Sequence, residues 1–325
     1  MTATTRAIRS RLPSVVGAGI LAVLIWRLGT GPFLDGVGRI DTVTFLGAVG
    51  IGVFTTVCSA WRWCLVSRAL GLPLPLGRAV ADYYRALFLN ATLPGGVLGD
   101  VHRAVRHGRG AGDLGRSVRA VVLERTAGQV ALLAVGTAIL LTLPSPALTA
   151  TRHLAIAALA LPIVVGALVA WAPRWCRALT TTLREARPSW PGVLVTSLAT
   201  LAGHLALFLL AARAAGTTAP ATVLLPLMIL ALLSMSLPLN IAGWGPREGV
   251  TAWSFATAGL GATQGLTVAV VYGVLSMAAS LPGLAALMIP AGRQGSAPKG
   301  ARGTARPATN DAHFSHRAGR ARSAL

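Results

Sequence analysis

The feature that most limits what this chain can fold into is a succession of apolar runs of roughly 20 residues, each about the length of a helix that crosses a bilayer. Such runs occupy about 14–31, 42–60, 120–143, 154–172, 193–212, 221–239, 249–265 and 266–289. Only 12% of residues are charged, about half the share usual in a soluble domain. These observations predict an all-α polytopic membrane protein.

The boundaries predict three regions: a short basic N-terminus at 1–13, a transmembrane domain at 14–290, and a tail at 291–325. The tail is rich in Gly, Ala, Ser, Pro and Arg and is expected to be disordered. The segment 32–41 reads as a mixed loop. Trp61-Arg62-Trp63 reads as an aromatic and basic interface anchor closing the second span, and 64–77 as a connector.

The stretch 78–93 is apolar but carries Asp82, Arg85 and Asn90. It is too short and too polar for an ordinary lipid-facing span. It is expected to be re-entrant or buried in protein, where irregular backbone at membrane depth is tolerated.

The formal net charge is +20, and Lys299 is the single lysine among 29 basic residues. No segment is long enough to be a soluble domain with a basic face, so a nucleic-acid partner is not expected. Orientation in the membrane and contact with anionic lipids explain the charge better. The basic segments are the N-terminus, 62–78, 103–119, 174–187 and the tail. Placing them all on the cytoplasmic side gives about eight crossings with both termini in the cytoplasm, provided that 78–103 enters and returns and that 249–265 crosses. The expected site is the cell membrane.

Three cysteines, Cys58, Cys64 and Cys176, have no paired spacing that would make a disulfide framework or a metal site. The histidines likewise lack ligand spacing; His204, within an apolar run, reads as a partner in a helix–helix hydrogen bond. No metal or cofactor is expected, and no nucleophile elbow, P-loop or zinc motif appears.

Chemistry concentrates at two breaks. Leu93-Pro94-Gly95-Gly96 leads to Gly99, Asp100 and Arg103; Leu237-Pro238-Leu239-Asn240 leads to Gly243, Gly245, Arg247 and Glu248. Proline and glycine interrupt a helix, and paired interruptions in two halves of a transporter point to its binding site. They predict two broken helices and leave an inverted repeat open. Each restarting helix is expected to present free N–H groups to a phosphate.

Glu124 and Arg125 lie near the start of the third apolar run, where charge is expensive and belongs in a bundle interior. Arg103, Arg106, Arg119 and Arg247 are candidate partners for Glu124, in an acid–base network expected to run across the two breaks. The alternative is a local pair, with Arg125 reaching the headgroups.

The three ordered motifs LN-x-x-LPGG-x-x-GD-x-x-R (from Leu89), VVLER-x-x-G (Val121 to Gly128) and LP-x-x-x-x-G-x-G-x-RE-G (from Leu237) resemble the membrane region of the lysylphosphatidylglycerol synthase/flippase family. The resemblance implies a multi-span, flippase-like module. By motif match it implies binding residues at Asn90, Pro94, Gly95, Gly96, Gly99, Asp100, Arg103, Glu124, Arg125, Gly128, Gly243, Gly245, Arg247 and Glu248; Asn240, within the second break, joins them as a candidate. Pro246 departs from the family pattern and is expected to stiffen the second restart. The chain ends without the aminoacyl-transferase domain of bifunctional relatives, so lysine transfer is not expected.

Three functions follow as alternatives. The first is a carrier of an anionic or aminoacylated phospholipid, or of a related lipid-linked headgroup. Its phosphate would meet Arg103 and Arg247, and Asp100, Glu124 and Glu248 would keep those arginines positioned and could bind a cationic headgroup substituent. The second is a component of a glycolipid or polyprenyl-phosphate transferase pathway, with Asp100 and Glu124 as acid and base. The third is a scaffold for a separately encoded synthase or transferase, docked through the basic tail.

Overall fold

The structure is a computed structural model that describes residues 19–93, 96–143, 181, 184–236 and 244–288. The N-terminus, the expected fourth span, the tail, and Pro94, Gly95, Asn240 and Gly243 lie outside the described residues.

Every regular element among the described residues is helical. Two helices open the fold, α1 (Gly19–Leu28) and α2 (Gly31–Gly38), with a bend of 91° between them. The segment expected to be a loop at 32–41 is therefore mostly helix; it packs against α10 (Ala262–Ser280), with Gly36 at the contact.

Helix α3 (Thr42–Ala69) starts at Asp41, whose Oδ1 accepts the Thr44 N–H at 2.8 Å. That bond satisfies one of the free donors of a helix N-terminus. The helix has 28 residues, about 42 Å at 1.5 Å per residue. It runs well past Ala60, so Trp61-Arg62-Trp63 is not an interface anchor. Arg62 and Trp63 are buried while Trp61 is exposed. The local pattern looks like a membrane-surface belt, but helix phase turns Arg62 and Trp63 inward.

The main partner of α3 is α7 (Trp190–Ala214), which follows a 3₁₀ turn at Arg187–Ser189. Small residues let the backbones approach, as is usual between membrane helices. A Cβ on Gly203 would overlap Thr55, and one on Gly52 would overlap Ala279 of α10.

The basic stretch 103–119 is helix rather than loop. It divides between α5 (Leu98–Ala111) and the start of α6 (Leu114–Thr142), with Asp113 capping α6 through the Arg116 N–H at 2.9 Å. Between α3 and α5 lies α4 (Leu76–Thr92), with Asp82, Tyr83 and Arg85 buried. This is the protein-buried segment expected from its polarity. Helices α4 and α5 pack on each other, and a Cβ on Gly99 would overlap the Ala86 carbonyl oxygen. Backbone does not yield as a side-chain tip would, so Gly99→Ala is expected to destabilise the protein by about 1–3 kcal/mol. Thermal unfolding of the purified protein in detergent checks this.

The second half has the same order of parts. Helix α8 (Ala221–Ser234) approaches the second break, and α9 (Pro246–Thr257) restarts after it; at 14 residues α8 is shorter than the span expected at 221–239. Its first residue is Pro246, where the missing N–H is no loss. At 12 residues and ~18 Å, α9 is shorter than the ~30 Å hydrocarbon core. It does not cross as expected for 249–265. It packs between α8 and α10, with Arg247, Glu248, Thr251 and Ser254 buried. Helix α10 begins at Ala262, earlier than expected, and α11 (Pro282–Met288) follows it.

Among the described residues four helices are long and apolar enough to span a membrane: α3, α6, α7 with its preceding turn, and α10 with α11. The bent α1–α2 pair makes up to five. The interior is built from side chains of α7, α8 and α10, with Phe208, Leu224, Met228 and Tyr272 all buried. Val122, Val130, Val195 and Phe54 stay exposed on α6, α7 and α3, as suits helices whose outer face meets hydrocarbon. The chain is an all-α, multi-pass membrane protein.

Candidate functional site

A cavity of about 380 Å³ lies in the bundle, lined by residues of α3, α4, α6, α7, α8 and α10 and by described residues flanking both breaks. Its size falls in the range of small-molecule sites, about 300–1,000 Å³. Gly96 of the first break and Trp244 and Arg247 of the second line the same space. The described flanks of the two breaks thus line one cavity. Gly96 turns the chain at φ +63° and Gly245 at φ +125°, backbone that favours glycine.

An ion network built on α3, α5 and α6 forms one wall. Glu124, ten residues into α6, is fully buried. Its Oε1 accepts from Arg62 Nε at 2.9 Å and Nη2 at 2.5 Å; its Oε2 accepts from Arg103 Nη2 at 2.6 Å. Arg103 also donates to Asp100 Oδ1 at 2.9 Å, and its guanidinium lies between the rings of Trp63 and Tyr83, 4.8 and 4.6 Å from their centroids. Arg125 Nη2 pairs with Asp100 Oδ2 at 2.7 Å. Each buried charge is thus paired, which is the condition for placing it out of water.

The expected network forms at the first break and does not reach Arg247 at the second. Arg103 binds Glu124, but the second partner is Arg62. Arg106 goes instead to Asp82 and Arg247 to Glu248. Arg103 is 0% exposed, with Nε and Nη2 on two carboxylates and its faces on two rings. It does not line the cavity, so it is not placed to meet a phosphate. Arg62, Arg125 and Arg247 do line it. The side chain of Arg125 is 41% accessible, so it opens into the cavity rather than reaching outward.

Nor are the helix restarts free. Asn90, at the end of α4, accepts the Gly99 N–H on Oδ1 at 2.7 Å and donates from Nδ2 to Asp100 at 3.3 Å. Glu248 Oε2 accepts the Gly245 N–H at 2.7 Å. The side chains expected to frame an anion-binding N-terminus occupy it themselves. Likewise Glu124 and Glu248 are fully buried, and the Asp100 side chain is 16% exposed and held by two arginines. A cationic substituent finds none of the three free.

Two glycines seat arginines. A Cβ on Gly128 would come within 3.2 Å of Arg62 Nη1 and Nη2, and one on Gly273 would overlap Arg247 Nη2. Arg247 donates to Glu248 and sits 5.3 Å from the ring centroids of both Trp244 and Tyr272. Tyr272 Oη contacts His204 Nδ1 at 3.3 Å, which makes the expected helix–helix bond from α7 to α10. Ser197 accepts from Arg62 Nη1 at 3.2 Å.

Sequence reasoning missed Arg62, Tyr83, Tyr272 and Gly273 as cavity residues. For Arg62 a signal exists: the apolar run continues through Cys64-Leu65-Val66 beyond the apparent anchor.

A second cluster is separate from the cavity wall. Fully buried Asp82 meets Arg85 Nη1 at 2.6 Å and Arg106 Nε at 3.1 Å, with Arg78 Nε at 3.9 Å. Arg85 Nε also donates to the Ala286 carbonyl at 2.6 Å, tying α4 to α11. Nearby His107 of α5 contacts the Trp63 ring edge-on; burial, with Arg78 adding to it, holds its imidazole below the ordinary range. This cluster has the character of a structural fastening.

Neither the curated proteins nor the solved structures contain a match to the chain. The family model described as "Lysylphosphatidylglycerol synthase TM region" matches residues 12–283, most of the 325 residues, and the chain belongs to that family.

Proposed function

We propose that the protein binds the headgroup of a phospholipid, or of a related lipid-linked compound, in the cavity between the two breaks and moves it across the cell membrane. The observation that carries it is the cavity wall, which combines the guanidiniums of Arg62, Arg125 and Arg247 with apolar side chains such as Leu87, Leu132 and Met277. A lipid phosphate needs charge-assisted donors, and the adjoining chains need an apolar surface.

A carrier fits better than a transferase. Glu124, the acid–base candidate, has both oxygens held by arginine and no exposure.

Arg125 gives the cleanest test, because its removal leaves Asp100 with Arg103 and Asn90 and strands no buried charge. Purified protein in vesicles is expected to speed the flipping of labelled phosphatidylglycerol above the protein-free rate. Arg125→Ala is expected to lower that gain at least about tenfold, the equivalent of 1.4 kcal/mol, while its unfolding temperature stays near wild type. Flipping by Arg125→Ala at the wild-type rate would exclude the cavity as the path.

A further inference from the structure

The charges that line the cavity are of one sign. The guanidiniums of Arg62, Arg125 and Arg247 face it, and among the described residues no aspartate or glutamate does. The chain has nine acidic residues in all, which makes the account short. Asp82 lies under its own arginines, and Asp100, Glu124 and Glu248 stand behind the cavity wall in ion pairs. Asp41 and Asp113 cap helices. Asp35 and Glu185 are exposed and line no part of the cavity. Asp311, the ninth, belongs to the tail. The stretches 94–95 and 237–243, which join the described parts of the breaks, contain no charged residue.

The wall also carries a surplus. Arg62, Arg103 and Arg125 share only Asp100 and Glu124, three cations against two anions. Arg103 Nη1 and Arg125 Nε are left without a hydrogen-bond partner. Of the three guanidiniums only that of Arg125 is substantially accessible, at 41% of its side chain against 6% for Arg62 and 0% for Arg103, so it is the one placed to meet an anion.

Building on the lipid-binding reading above, we propose that this site selects a phosphodiester headgroup of net charge −1 and rejects one bearing an added ammonium, such as an aminoacylated lipid. A phosphodiester neutralises the surplus. An aminoacyl ammonium would enter a wall of guanidiniums with no carboxylate to receive it, and like charges in a low-dielectric site repel strongly.

The test uses the full chain in phosphatidylcholine nanodiscs doped with equal amounts of phosphatidylglycerol and lysyl-phosphatidylglycerol. Lipids retained after gentle release are weighed by mass spectrometry. Phosphatidylglycerol is expected to be enriched over the lysylated lipid by at least about tenfold. Gln129 lines the same cavity one turn after Arg125, and Gln129→Glu adds a carboxylate of nearly equal shape. That variant is expected to reduce the preference about tenfold while remaining folded. Equal or greater retention of the lysylated lipid by the wild-type protein would overturn the proposal, as would a preference unmoved in Gln129→Glu. Retention of neither lipid above phosphatidylcholine would instead overturn the lipid-site reading itself. Excess soluble glycerol phosphate is expected to leave the lipid bound; displacement would assign the site to a free phosphate.

Discussion

Replacing Glu124 by alanine is expected to destabilise the protein by about 3–5 kcal/mol, because it leaves buried charge without its partner. Arg62 loses the acceptor of both Nε and Nη2, and keeps only Ser197 and the space over Gly128. Arg103 retains Asp100 and its two aromatic neighbours but is wholly enclosed. The same carboxylate links α3, α5 and α6, so the loss is shared by three helices. Glu124→Gln keeps the shape and the acceptor oxygen but not the charge, and should fall between alanine and wild type. Unfolding temperature in detergent, with the fraction that elutes as a single species, measures the series. A Glu124→Ala protein as stable as wild type would mean that Arg62 and Arg103 find other partners, and the wall described above would not be the native one.

Much of this was legible in the sequence, because the signals concerned are local. Leu93-Pro94-Gly95-Gly96 and Leu237-Pro238 mark breaks through backbone chemistry alone, and the helices flanking both end or restart as expected. Glu124 stands out because a carboxylate deep in an apolar helix needs a partner, and Arg103 was among the few candidates. What stayed hidden depends on contacts distant in sequence. Arg62 lies 62 residues from Glu124; the apolar Cys64-Leu65-Val66 shows that the helix carries on past Trp61-Arg62-Trp63, but not which carboxylate its arginine meets.

The same limit explains Arg247. By charge it was a plausible partner for Glu124, yet its immediate neighbour Glu248 takes it. Seating by Gly273, on another helix, is visible only once α9 and α10 are packed. The helix restarts were misread for a related reason. Their donors are real, but Asn90 and Glu248 reach back to fill them, and whether a side chain turns toward its own helix start or toward a ligand depends on the surrounding packing.

Arg247 supplies the second large effect, and its stability and transport consequences can be separated. Arg247→Ala alone is expected to cost about 3–5 kcal/mol, since it strands the fully buried Glu248 with little beyond the Gly245 N–H. Any loss of flipping in that variant would mix misfolding with a missing contact. The double variant Arg247→Met with Glu248→Gln removes both charges at nearly constant volume. Buried ion pairs are often replaced by neutral groups with little change in stability, and the methionine stem still packs between Trp244 and Tyr272. Its unfolding temperature should therefore return close to wild type. Flipping should not return, because the cavity has lost one of three guanidiniums and no neutral side chain restores a charge-assisted bond to phosphate. Recovery of both stability and flipping would make Arg247 a fastening for α9 alone. Recovery of stability with flipping still absent would place its charge in the lipid path.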